Sequence, residues 1–261
     1  MKHTYQILAA AAALAIFGGC KQQTGGSTSN VAADVKKEII AHDKAILAHA
    51  DVLKDPYTTL YTINSLLAYD TGNLKYIDTA AQLYGKLGLG EQAMTCAQKV
   101  LAKEPNNVTM MEIQAGGYMA LGNMDKAADI CSKLYDKTNK PKYLFNLAML
   151  QIQMHAKERN FSEAERTISK IENHPDYMKD SAAVQTDAGG QMQKVPLNAC
   201  TIYLRGVIDG QNQKYEGAIK KFESALKIDP DFYLANKNYN YLAQAVQQAQ
   251  AQAQQQQGHK Q

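Results

Sequence analysis

A spacing of 34 residues constrains this chain more than any other feature. Ala93 lies in GLGEQAMTCAQKVLAKEPNN and Ala127 in ALGNMDKAADICSKLYDKTNKP, 34 positions apart. Tyr84 and Tyr118 precede these alanines by nine positions, Gly88 and Gly122 by five, and Val100 and Leu134 follow by seven. Self-similarity at such a period marks a unit that cannot bury its apolar face alone, so copies stack and share a continuous core. Small residues at matching places let two helices of a unit approach closely, and larger apolar residues fill the space between units.

The same pattern extends along the chain. Counted from Leu74, position 8 is Ala81, position 11 Tyr84, position 20 Ala93 and position 32 Pro105. Counted from Val108, these places hold Ala115, Tyr118 and Ala127, with proline displaced two residues to Pro141. A third unit fits from Phe145, with Phe161 in the turn, Ala164 at position 20 and Ile168 and Ile171 facing inward; Ile152 and His155 replace the small and aromatic residues. A fourth fits from Ala199, with Gly206, Tyr215, Ala218, Phe222, Ala225 and Pro230 in register. This set resembles the tetratricopeptide repeat, a helix–turn–helix unit. The resemblance implies an all-α, right-handed superhelical solenoid with repeats over 74–107, 108–141, 145–175 and 199–232.

From Ala164 to Ala218 is 54 residues, one period plus twenty, and the surplus falls at 176–198. There Asp187-Ala188-Gly189-Gly190 separates Val184–Thr186 from Gln191–Val195, which reads as a projecting loop or a small hairpin. Long insertions of this kind are functional or disordered, and both partner contact and a tolerated insertion stay open. Ahead of the repeats, Val31–Leu53 and Thr58–Tyr69 read as amphipathic helices, a degenerate repeat over 31–73. After Pro230, residues 233–261 read as a capping helix running into a Gln/Ala-rich tail, both residues being good helix formers.

The N-terminus carries Lys2, an apolar run from Ile7 to Phe17, then Gly18, Gly19 and Cys20. The run is too short to span a bilayer, which takes about 20 residues. A charged head, a short apolar stretch and small residues describe a secretory signal over 1–19. The glycines before Cys20 resemble the bacterial lipoprotein signal, in which the cysteine after the cut is acylated; Phe17 stands where that family prefers Leu. The alternative is an ordinary signal cut elsewhere. With Cys20 as lipid anchor, 20–30 is a flexible tether whose ten residues KQQTGGSTSN reach roughly 17 Å. Lys21 occupies the place where Asp retains such proteins in the inner membrane, so the resemblance favours the outer membrane, on either face.

The charge balance, 28 basic against 25 acidic residues, provides no field that steers a chain to nucleic acid. Cys96, Cys131 and Cys200 fall on helices where small buried residues belong. His42 and His49 are seven apart on one helix, roughly 10 Å along its axis and too far to share a metal. There is no HExxH, GxSxG, phosphate-cradling glycine loop or CxxC, so no catalytic residue, cofactor or metal is expected, and the chain reads as a non-enzyme.

The repeat resemblance implies a concave face lined by the first helix of each unit. Its residues are Lys75, Asp78, Gln82 and Lys86, then Glu112 and Met119. The third unit adds Met149, Gln153 and Lys157, and the fourth Tyr203 and Val207. Asp78 and Glu112 have the wrong sign for the clamp with which some relatives hold a C-terminal carboxylate. The expected function is a protein-binding adaptor of the cell envelope, with proteins or peptides as partners and the membrane touched only through the lipid. The alternative is a dedicated subunit of an outer-membrane assembly, secretion or uptake machine. A small-ligand or glycan binder is disfavoured by the absence of Trp.

Overall fold

The computed structural model describes residues 28–186 and 191–258. Helices α1 (Thr28–Leu53) and α2 (Pro56–Tyr69) form an antiparallel pair. Three repeat pairs follow: α3 (Leu74–Lys86) with α4 (Gly90–Leu101), α5 (Val108–Ala120) with α6 (Met124–Thr138), and α7 (Lys142–Met154) with α8 (Ser162–Glu172). Strands β1 (Ser181–Gln185) and β2 (Met192–Pro196) lead into a fourth pair, α9 (Leu197–Gln211) and α10 (Tyr215–Ile228). Helix α11 (Tyr233–Gly258) closes the array. The chain is an all-α solenoid of helical repeats interrupted by one hairpin.

Local chemistry explains where the helices begin and end. Asp55 accepts hydrogen bonds from the Tyr57 and Thr58 amides at 3.0 and 3.2 Å, and Pro56 supplies the fixed φ of a first helical turn. Asn73 and Asn107, 34 residues apart, accept in the same way from Tyr76 and Met110. Pro141 takes the equivalent place before α7. The first helices of the first, second and fourth pairs end by turning through a left-handed residue: Gly88 at φ 75°, Gly122 at φ 70° and Gln213 at φ 63°. The amides of Leu89, Asn123 and Lys214 then bond back to the Tyr84, Tyr118 and Asp209 carbonyls.

The third repeat departs from its expected frame. Helix α7 begins at Lys142, not Phe145, so the first helices of three repeats start at 74, 108 and 142, an unbroken 34-residue period. The turn after α7 covers 155–161, seven residues, whereas the other three repeats turn in three. Those four extra residues, with α8 reaching Ala164 one position sooner, put Ala164 37 residues after Ala127. A frame counted back from Ala164 therefore starts three residues late. Helix α1 also begins at Thr28, inside the stretch read as tether. The signal at 1–19, Cys20, the tether as far as residue 27, the Asp187–Gly190 turn and residues 259–261 lie outside the described residues.

The insertion is built into the fold. Ala182, Val184 and Val195 point inward and join the largest core cluster, among Leu144, Phe145, Leu197 and Leu204. The antiparallel register pairs Ala183 with Lys194 and Gln185 with Met192 on the opposite, exposed face. Gln193 spans the gap to α11: its amide nitrogen donates to the Asp231 carbonyl at 2.7 Å, and its oxygen accepts from the Tyr233 amide at 2.9 Å.

Candidate functional site

Between the first helices of the second and third repeats and the exposed face of the hairpin lies a cleft of about 500 Å³. One wall is Gly116 and Met119 on α5 and Asn146, Met149 and Gln153 on α7. The other is Ala183, Gln185 and Met192 of the hairpin, with Leu234 of α11 at one end. Four methionines in one cleft, with Met124 of α6 joining Met119, Met149 and Met192, give an apolar lining that adapts its shape, because the unbranched thioether has three rotatable bonds. A second recess of about 650 Å³ adjoins it at the start of α7, and Ala183 and Met192 line both. Lysines 140, 142, 179 and 194 border this recess together with Asp176 and Asp180.

Of the residues expected on the concave face, Met119, Met149 and Gln153 meet in the cleft. Lys75, Gln82 and Lys86 are exposed on α3, well apart from it. Asp78 and Glu112 occupy the same place in consecutive repeats, and both are engaged within the solenoid. The Asp78 carboxylate accepts from the Asn107 amide at 3.3 Å and from Gln82 at 2.6 Å. The Glu112 carboxylate accepts from the Lys142 ammonium at 3.0 Å and the Tyr143 hydroxyl at 2.6 Å. The bonds from Asn107, Lys142 and Tyr143 run from one repeat to the next and hold successive first helices in register, while the Gln82 bond stays within α3. Burial, reinforced by the Glu112 hydrogen bond, pushes the Tyr143 hydroxyl up to about 12. Burial alone would lower the Lys142 ammonium, but its bond to Glu112 and their mutual attraction raise it.

Three expected residues are elsewhere. Tyr203 is 4% exposed, packed against Phe222 and Phe232 at ring separations of 5.7 and 5.0 Å, with its hydroxyl accepting from Asn238 at 3.1 Å. Helix α11 covers the fourth repeat there, so Tyr203 is a core residue, and Val207 packs half-buried against the same core. Lys157 lies in the long turn after α7, outside the helix, because the third repeat begins three residues earlier than its frame assumed.

The sequence implies a projecting loop or small hairpin over 176–198 and leaves partner contact open, but it places neither the hairpin's outer face as a wall of the cleft nor the lysines around the second recess. A signal existed: over 182–185 and 192–195, apolar Ala182, Val184 and Val195 alternate with Ala183, Gln185, Met192 and Lys194, the period of a strand with one buried face. Among the described residues, no helix is long and apolar enough to cross a membrane, and no three His, Cys, Asp or Glu side chains gather as metal ligands.

No family model matches the chain, and no curated protein matches it. Solved structures do. YrrB, described as a TPR protein with an unusual peptide-binding site, is 16% identical, with a TM-score of 0.53 over 81% of this chain and 97% of that one. Two crystal structures of MamA are 14% identical, with TM-scores of 0.51 and 0.52, covering 74% and 71% of this chain and 93% and 95% of theirs. Identities this low speak to backbone architecture alone. The fold of this chain is that of the tetratricopeptide-repeat proteins.

Proposed function

We propose that this protein is a non-catalytic adaptor that binds other proteins or peptides in the cleft between α5, α7 and the hairpin, and is held at the outer membrane by an acyl chain on Cys20. The observation that carries the binding reading is the cleft itself: a concave, methionine-lined groove with a second wall supplied by the insertion. A peptide laid there buries apolar area against both walls while its backbone meets Asn146, Gln153 and Gln185. The shared fold with YrrB, a protein whose description includes a peptide-binding site, supports the same reading. The anchor reading rests on Gly18, Gly19 and Cys20 after the apolar run.

A photo-crosslinking amino acid placed in cells at Met149, at Gln185 and at Lys133, an exposed residue of α6 outside the cleft, tests the binding reading. Specific adducts at the first two positions and none at Lys133 are expected. The same adduct pattern at all three positions, or none at Met149 and Gln185, rules the cleft out as the binding site. The anchor is tested separately by Cys20→Ser, which should release the protein from the membrane fraction; continued attachment means that something other than Cys20 holds it.

A further inference from the structure

The apolar cleft and the lysine-bordered recess are two halves of one groove. Ala183 and Met192 line both, and α7 runs along both, with Lys142 at its start and Gln153 near its end. In the recess, Lys142 is matched by Glu112, and the Asp180 carboxylate is engaged by the Ser181 amide at 2.8 Å. Lys140, Lys179 and Lys194 are exposed, and none of them is in an ion pair among the described residues. Three unmatched ammonium groups outweigh Asp176 and Asp180, so the recess keeps a net positive charge beside an apolar floor.

From this juxtaposition we infer that the groove binds an extended acidic peptide: one large apolar side chain enters among Met119, Met149 and Met192, and a carboxylate-bearing stretch reaches Lys140, Lys179 and Lys194. The inference rests on the proposed binding function and specifies its partner. Geometry fixes the spacing. Seven residues of helix separate Lys142, at the recess, from Met149, at the anchor pocket, a rise of roughly 10 Å at 1.5 Å each. An extended chain covers that length in about three residues at 3.3 Å each. The ligand therefore carries its acidic residues about three positions from its apolar anchor. The recess is shallow and open, bordered by the hairpin and the segment after α8, and it continues into the more enclosed cleft, where the apolar anchor of a peptide can enter.

Random octapeptides displayed on phage, selected against the full chain, test this directly. The wild type should enrich, at least tenfold over the starting library, peptides with two or more Asp or Glu residues about three positions from Leu, Met or Phe. The K140Q/K179Q/K194Q variant should lose the acidic preference and keep the apolar one, since all three lysines are exposed and leave the core untouched. Met149→Glu should lose both, with an unchanged far-ultraviolet circular dichroism spectrum showing that each variant is folded. Enriched peptides without acidic bias, or a bias that survives the triple substitution, overturn the inference. Apolar enrichment abolished by Met149→Glu would then leave the binding cleft standing. No enrichment at all also overturns it, and crosslinking from Met149 judges the cleft independently. Lysine-dependent cosedimentation with phosphatidylglycerol vesicles, in place of peptide selection, would assign the recess to lipid and overturn the peptide assignment.

Discussion

Gly116 and Gly117 are neighbours in α5, yet a methyl group added to each meets different surroundings. At Gly117 a Cβ would lie 2.9 Å from the Met94 sulfur and 3.1 Å from its Cβ, while at Gly116 nothing stands within 4 Å. In a helix interior Ala is favoured over Gly by up to about 1 kcal/mol. Gly116→Ala should therefore raise stability by roughly 0.5–1 kcal/mol, and Gly117→Ala should lower it by about 1–2 kcal/mol once overpacking is included. Urea unfolding of the two variants separates the effects, and two shifts of the same sign would refute the packing argument. Titration gives a second prediction at this scale. Burial pushes the Cys131 thiol up to about 11 and the Tyr203 hydroxyl up to about 12, each above its unfolded value. Both groups hold their protons longer when folded, so their contribution is complete below about pH 9 and is lost as the pH rises through 11 and 12. The urea midpoint should fall steadily over that range, and Cys131→Ala should make the fall shallower between pH 9 and 11, by an amount of order 2 kcal/mol. Parallel curves for the two proteins would count against the buried thiol as a cause. The buried alanines were legible in the sequence for the reason that makes Gly117 sensitive: a contact between two helices admits few side-chain sizes, so it repeats. Tyr203 was not legible, because a tyrosine on the first helix of a repeat looks the same whether the groove is open or covered. What covers it is α11, whose path the repeat does not encode.

At the scale of elements, the hairpin ties together parts of the chain that the repeat period leaves separate. Its inward residues belong to the core shared by α7 to α10, and Gln193 holds it to the junction of α10 and α11. Gln193→Ala removes both bonds and should cost about 1–2 kcal/mol, with Val184→Ala costing about 2 kcal/mol through lost burial. Hydrogen exchange supplies the sharper reading: the Tyr233 amide should lose protection in Gln193→Ala while amides in α3 to α6 keep theirs. Uniform loss along the chain would mean that the hairpin is not the local tie it appears in the contacts. Element positions were legible wherever a cap or turn repeated chemically. Asn73 and Asn107 with Pro141, and Gly88 with Gly122, stand at 34-residue intervals. The frame of the third repeat is ambiguous in the sequence because Ala164 lies beyond a turn of seven residues, so a count that places it at position 20 starts at Phe145, whereas Pro141 marks the true start. The hairpin itself was legible from Gly189-Gly190 between two extended stretches, but its burial on one face showed only as alternation, a signal that a helical period on either side obscures.

Across the whole molecule, stability in a stacked array is a sum of neighbour contacts, so it falls where neighbours are few. Helix α1 packs on α2 alone among its principal contacts, and its outer surface leaves Val35, Val52 and Leu53 exposed. The middle, from α7 to α10, contains the largest buried cluster. Hydrogen exchange should therefore run fastest in α1 and the far part of α11 and slowest in α7 to α9; a uniform rate would indicate a single cooperative block. The hairpin also makes the array mechanically uneven. A plain stack of repeats bends like a spring of even stiffness, each joint yielding a little. Here one length of the spring is braced, since the hairpin and α11 add contacts across the third and fourth pairs, and among the described residues the first two repeats have no such brace. Met149 and Met192 sit on the braced length and Met119 on the unbraced one. A change of pitch in the first half would shift the Met119 end of one wall relative to Met149 and the hairpin, so the width of the cleft at that end follows how tightly the N-terminal coils are wound.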